Sequence, residues 1–154
     1  MFRGVGGRGT ATFGVSNRTT IDISSGLAIN SLVFNAGASA YTFSNATFSL
    51  SGAGIVNNSS QTQTINIGTG ATLNFFADST AGNARITNAN GATLSFQNSG
   101  SAGAATITNT AIADAWGLYL RYDGEVGTGI DNHVFKRRPA HELVGVATAG
   151  RPAR

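Results

Sequence analysis

Few residues in this 154-residue chain could do chemistry, and their spacing argues against it. Between residues 19 and 112 the only acids are Asp22 and Asp78, and the only base is Arg85. Cleavage of a polysaccharide by paired carboxylates needs two of them roughly 5–10 Å apart. Two acids 56 positions apart (78 − 22) supply no such pair by themselves, and a solvated turn residue is the plain reading of Asp78. Asp123, Glu125 and Asp131 cluster, but within a Gly-rich turn, where acids are ordinary. His133 and His141 are eight apart, share no helical face and have no cysteine to join them, so they are not read as a metal site. No serine has both a histidine and an aspartate in a nucleophilic arrangement. Gly4-Val5-Gly6-Gly7-Arg8-Gly9 matches G-x-G-x-x-G, yet only three residues precede it and no helical pattern follows. The only lysine, Lys136, does not stand in a phosphate-binding loop. Lys136, Arg137, Arg138, Arg151 and Arg154 could attract a polyanion non-specifically, but without interleaved aromatics they read as a solvated tail. The expectation is therefore no catalytic, cofactor-binding or metal-ligating residue, no cofactor, no small-molecule substrate and no specific nucleic acid.

What the chain does contain is a tandem repeat. Residues 70–90, GATLNFFADSTAGNARITNAN, are followed without a gap by residues 91–111, GATLSFQNSGSAGAATITNTA. Eleven of the 21 aligned positions are identical, and none carries an acid, a base or a metal ligand. Ala71, Leu73 and Phe75 alternate with Thr72 and Asn74, the period-two pattern of a half-buried strand. Ala84, Ile86 and Asn88 repeat it after a turn at Ala81-Gly82, and Ala92, Leu94, Phe96, Ala105, Ile107 and Asn109 are their counterparts. A period near 20 predicts a coiled β architecture in which each unit buries its apolar side on the next copy. Leu73 should then lie over Leu94, Phe75 over Phe96 and Ile86 over Ile107. Asn88 and Asn109 are expected where the chain turns, with their amides stacked. Phe76 should face outward, where its counterpart is Gln97. An antiparallel sandwich of short strands shares the alternation; the ungapped spacing favours the coil.

Weaker copies lie upstream. Ala46-Thr47-Phe48-Ser49-Leu50 resembles the first strand of the repeat, and Gly54-Ile55-Val56-Asn57-Asn58 the second. Gln63 to Ile67 adds a strand, while residues 32–38 and 41–43 suggest one more turn. Three to five coils are expected between residues 20 and 112. Both prolines, Pro139 and Pro152, fall beyond this body, so nothing within it blocks a ladder of hydrogen bonds. The chain has no cysteine, hence no disulfide framework. A short, weakly charged stack with open edges is expected to self-associate.

Charge divides the chain into four regions: a Gly/Arg leader over 1–18, the repeat body over 19–112, a strand-rich piece over 113–135 and a basic tail over 136–154, with disorder expected at both ends. The leader has no apolar run long enough for a signal peptide. Trp116, Leu118, Leu120 and Tyr122 share one face of a period-two run, as in a strand of a membrane barrel.

The phrase order SLVFNAGASAYTF, then FSLSGAGIVNNSSQTQTINI, then two copies of GATLxF…AGxAxITN, resembles the passenger repeats of bacterial autotransporters, over about residues 20–112. LYLRYDGEVGTGIDNHVF (118–135) resembles the closing hairpin of the autotransporter translocator barrel. The resemblance implies an all-β chain: a short right-handed parallel β-helix followed by a barrel-hairpin remnant. It also implies placement at the outer membrane or cell surface, and a stalk that holds adhesive or enzymatic parts away from the cell. After Phe135 the family strand should continue to a terminal aromatic; Lys136-Arg137-Arg138-Pro139 departs from it, and the preceding barrel strands are absent. A truncated, non-catalytic fragment is the leading expectation. A standalone β-helical adhesin or carbohydrate- or protein-binding module is the alternative, and a polysaccharide-cleaving enzyme would need stacked acids that the copies lack.

Overall fold

The computed structural model describes residues 9–110 in full and the backbone of 118–121 and 130–131. The strands are β1 (Thr10–Phe13), β2 (Thr20–Asp22), β3 (Leu27–Phe34), β4 (Thr42–Ser44), β5 (Phe48–Asn57) and β6 (Thr64–Ile67). They continue with β7 (Thr72–Phe75), β8 (Arg85–Asn88), β9 (Thr93–Gln97), β10 (Thr106–Asn109), β11 (Leu118–Arg121) and β12 (Ile130–Asp131). Every strand pairing is parallel, between a strand and its counterpart one turn later. The odd-numbered strands form one six-stranded sheet and the even-numbered strands another. The result is a β-solenoid of about five turns, about 21 residues apart.

Period-two alternation gives each strand an inward face, and the 21-residue spacing sets like strand beside like. Parallel neighbours need a long connection, and here the rest of the turn supplies it. The expected register is observed: Leu73 lies beside Leu94, Phe75 beside Phe96 and Ile86 beside Ile107. The columns run further than the exact repeat. Ile21, Phe43, Ile65, Ile86, Ile107 and Ile130 follow one another along the even sheet. Leu27, Phe48, Leu73, Leu94 and Leu118 do so along the odd one. Phe43, Ile65, Leu73, Ile86, Leu94 and Ile107 are completely buried. Each large side chain hidden in this way contributes about 1.5–3 kcal/mol. Phe75 and Phe96 stack with ring centroids 4.9 Å apart. Near the N-terminal end Phe13, Phe34, Tyr41 and Phe43 pack together, and the Tyr41 hydroxyl donates to the Gly14 carbonyl at 2.9 Å.

The odd sheet bends. Residues 27–29 of β3 pair with 48–50 of β5, the register then shifts, and residues 31–34 pair with 54–57. Beyond β5 the second segment continues only as bridges from Gly54 to Thr80 and from Thr80 to Ser101. Each coil thus has three sides. This corrects one expectation. Gly54 to Asn58 is not an early copy of the second repeat strand, because Ile55 stacks on Leu32. The counterpart of Ile86 is Ile65. Alternation alone could not distinguish the two, since both segments present isoleucine inward.

The corners carry a second correction. Asn88 ends β8 fully buried and is not left-handed. The left-handed positions recur instead at Gly70 and Gly91, Ala77 and Asn98, and Gly82 and Gly103, each pair 21 apart. The expected amide stack is present: Asn88 Nδ2 donates to Asn109 Oδ1 at 2.8 Å. A third difference concerns residues 113–135. β11 pairs with β9 and β12 with β10, both in parallel, so these strands extend the coil instead of closing a hairpin on each other. The open edges of β9 and β10 lie one turn upstream and are the nearest templates. The expectations for the first eight residues and for the basic tail lie outside the described residues.

The long corner between β5 and β6 is held by Gln63, which is fully buried. Its Oε1 accepts from the Tyr41 amide at 2.9 Å, and its Nε2 donates to Ser39 O, Ser59 Oγ and Gln61 O at 3.1–3.3 Å. Gln63→Leu leaves the Tyr41 N–H without its acceptor. A loss of about 1–3 kcal/mol is expected in denaturant unfolding, and a loss below about 0.5 kcal/mol would show that the clip contributes nothing.

Candidate functional surface

The carboxylates are not brought together. Asp22 lies on β2 in the first turn, exposed, whereas Asp78 lies exposed in the corner after β7, in a later turn. Asn45 Nδ2 donates to Asp22 Oδ2 at 2.7 Å. This bond, helped by hydrogen bonds from Ser24, holds the Asp22 carboxyl below the ordinary aspartate value. A general acid working near neutral pH needs the opposite shift. The contribution of this contact to stability is present at neutral pH and disappears as pH falls through the depressed value. In a carboxyl NMR titration Asp22 is expected below an ordinary aspartate, and Asn45→Ala should move it upward. An unmoved midpoint would refute the assignment. Sequence reasoning treated Asp22 as isolated; the signal it missed was the coil period, which brings Asn45, 23 residues on, beside it.

Among the described residues no group of three or more His, Cys, Asp or Glu could hold a metal ion. Gly4 to Arg8, Glu125, His133, His141 and the cations beyond Lys136 lie outside the described residues, and of Asp123 and Asp131 only the Asp131 backbone is placed. Phe76 follows β7, is half-buried and is not part of the core cluster, and its counterpart Gln97 is half-buried as well.

What the coil does assemble is an array of mostly neutral hydrogen-bonding groups, interrupted by Asp22 in the first turn and Arg85 in a later one. On the even sheet the inward Ile or Phe of each strand is flanked by outward residues. Thr20, Thr42, Thr64, Arg85 and Thr106 follow one another in register. Beside them Asp22 pairs with Ser44, and Asn66 is followed by Thr87 and Thr108. The segments TID, TFS, TIN, RIT and TIT recur at spacings of 21–22 residues (42 − 20, 64 − 42, 85 − 64 and 106 − 85), a pattern legible in the sequence but not singled out there. Successive rungs stand about 4.8 Å apart. Hydroxyls and amides in such rows can donate to and accept from water, sugars or peptide groups. They offer no general acid or base.

Among the described residues no helix is long and apolar enough to cross a membrane, which says nothing of a β-barrel. The chain matches no protein-family model, no curated protein and no solved structure.

Proposed function

We propose that this chain is a non-catalytic structural segment of an autotransporter-type surface protein, its coil stack acting as a stalk. The observation that carries this reading is the continuous column from Ile21 to Ile107, flanked outward mainly by Thr, Ser and Asn, with Asp22 and Arg85 as the only charges in those rows. Such a column makes length from repetition and leaves little side-chain chemistry outside. The RYDGE…DNH phrase at 121–133 adds the resemblance to the barrel of the same family. The outer membrane or cell surface is the compartment this reading assigns.

The test is to place the chain between an export signal and a heterologous autotransporter barrel and to probe intact cells with an antibody and an added protease. Surface exposure of a reporter carried ahead of the stack is the expected result. Retention inside the cell, or sugar release by the purified chain from a polysaccharide panel, would contradict the reading. A stalk should also lengthen predictably. Inserting one further copy of residues 70–90 should preserve the fold and extend the particle by about 4.8 Å along the coil axis, measured by small-angle scattering. Unfolding on insertion would refute it.

The outward Thr rows favour a second reading, an adhesin or carbohydrate- or protein-binding module. It predicts retention on immobilised glycans or host matrix proteins that is lost in a Thr42→Ala, Thr64→Ala double variant. Equal retention of the double variant would remove it.

A further inference from the structure

The two ends of a coil stack are where its apolar columns stop. In the middle turns the core side chains are sealed, but in the first turn Ala11, Phe13, Ile21 and Ile23 are only partly buried. Among the described residues the exposed large hydrophobics are Val15, 85% exposed, and Leu27, 42% exposed. Val15 lies in that turn, and Leu27 opens β3, where its column along the odd sheet begins. β1 and β2 are terminal strands of their sheets, with one edge of each facing no described strand. Natural edges are usually blunted by lysine, proline or a bulge. β1 reads TATF and β2 reads TID, with Asp22 as the only charge and no proline.

The charges around β2 also say what fits there. Arg18 and Asp22 are both exposed, and each stands two residues from Thr20. An antiparallel pairing of β2 with itself, about a two-fold axis at Thr20, places residue 18 of one chain opposite residue 22 of the other (18 + 22 = 20 + 20). Opposite charges then meet twice. The inward Ile21 and Ile23 of each copy are brought against the partly covered end of the other's core. A two-fold contact of this kind is self-complementary and closed.

We infer that the N-terminal end of the coil stack is a self-pairing surface: a second copy of the chain docks head to head, β2 against β2, with Arg18 of each copy beside Asp22 of the other. This goes beyond the stalk reading and holds in whichever compartment the chain resides. The contact completes at the first turn the stacking that every later turn receives from its neighbour.

The absence of cysteine makes a direct test available. Directly opposed strand residues in an antiparallel pair have Cα atoms about 4.5–5.5 Å apart, within disulfide reach. Full-length chain carrying Thr20→Cys should form a covalent dimer rapidly on mild oxidation. Thr106→Cys, exposed on the same sheet but four rungs away, should not. Sedimentation should show a monomer–dimer equilibrium. Arg18→Asp or Asp22→Arg alone should weaken it about tenfold, since two pairs per dimer change from attraction to repulsion. The double exchange should restore it, and circular dichroism would check that each variant keeps its strands. A monomer at every attainable concentration overturns the inference. So do equal cross-linking of the two cysteine variants and an open-ended ladder of oligomers.

Discussion

Gly54→Ala is expected to be the most damaging glycine-to-alanine change among the described residues. Gly54 sits at the bend of β5 with φ of +80°, where L side chains are strained. A Cβ there would lie 2.1 Å from the Thr80 carbonyl oxygen and 2.4 Å from the Thr80 nitrogen. Those are backbone atoms of the next turn and cannot swing aside. The Ile55 amide donates to that same Thr80 oxygen at 2.7 Å, so separating the turns would also break the bond that joins them. Backbone strain of about 1–3 kcal/mol and overpacking of about 1–3 kcal/mol together predict a loss of about 2–6 kcal/mol. Gly37→Ala is the internal control. Its φ is +78°, but nothing lies within 4 Å of the added carbon. It should show the strain alone. Equal losses in thermal or denaturant unfolding would mean that the Thr80 backbone does not pack closely against Gly54.

Phe75→Ala is the second large effect. Phe75 is completely buried between Leu50 of the preceding turn and Phe96 of the next. Its ring is stacked on Phe96, with 13° between the planes. Truncation removes the middle of a column and leaves a void that the flanking coils cannot close without shifting register. About 3–5 kcal/mol is expected from comparable core truncations. Phe76→Ala removes the same ring from the adjacent position, which points the other way and is half-buried. It should cost no more than about 1 kcal/mol. A reversed order would mean that the strand carries the opposite face inward, since a one-residue slip exchanges the two faces.

The two substitutions also mark what the sequence made legible. Leu73, Phe75, Ile86 and their copies could be assigned because an ungapped 21-residue repeat aligns every position at once. The weaker strand at 46–50 was readable on the same pattern, with Phe48 beside Leu73 and Leu50 beside Phe75. The bend at Gly54 was not legible. It depends on a left-handed backbone under close approach from a residue 26 positions later (80 − 54), and glycine is too common in this chain to single one out. Ala77 shows the same limit. It adopts φ of 52°, as its counterpart Asn98 does at 59°, although alanine carries no signal for that conformation. Both equivalent corners are closed locally, by the Ser79 amide donating to the Phe76 carbonyl and the Gly100 amide donating to the Gln97 carbonyl. The hairpin expected over 118–135 rested on the resemblance to a barrel; β11 and β12 pair instead in parallel with β9 and β10, and a short phrase does not define which strand lies beside which. Among candidate site residues, sequence distance alone did not place Asp22 and Asp78, because the coil brings residues about one period apart together. The Asn45 contact that depresses the Asp22 carboxyl followed from the coil and appeared only with it.

All of these outcomes depend on successive turns lying parallel and in register. Methyl-labelled leucine and isoleucine in the full-length chain test this directly, through contacts seen by nuclear Overhauser effects. The account predicts cross-peaks between Leu73 and Leu94, and along Ile65, Ile86 and Ile107 in that order, with none between the δ-methyls of Ile65 and Ile107. Backbone contacts joining β8 to β9 as an antiparallel hairpin, with Leu73 remote from Leu94, would contradict it.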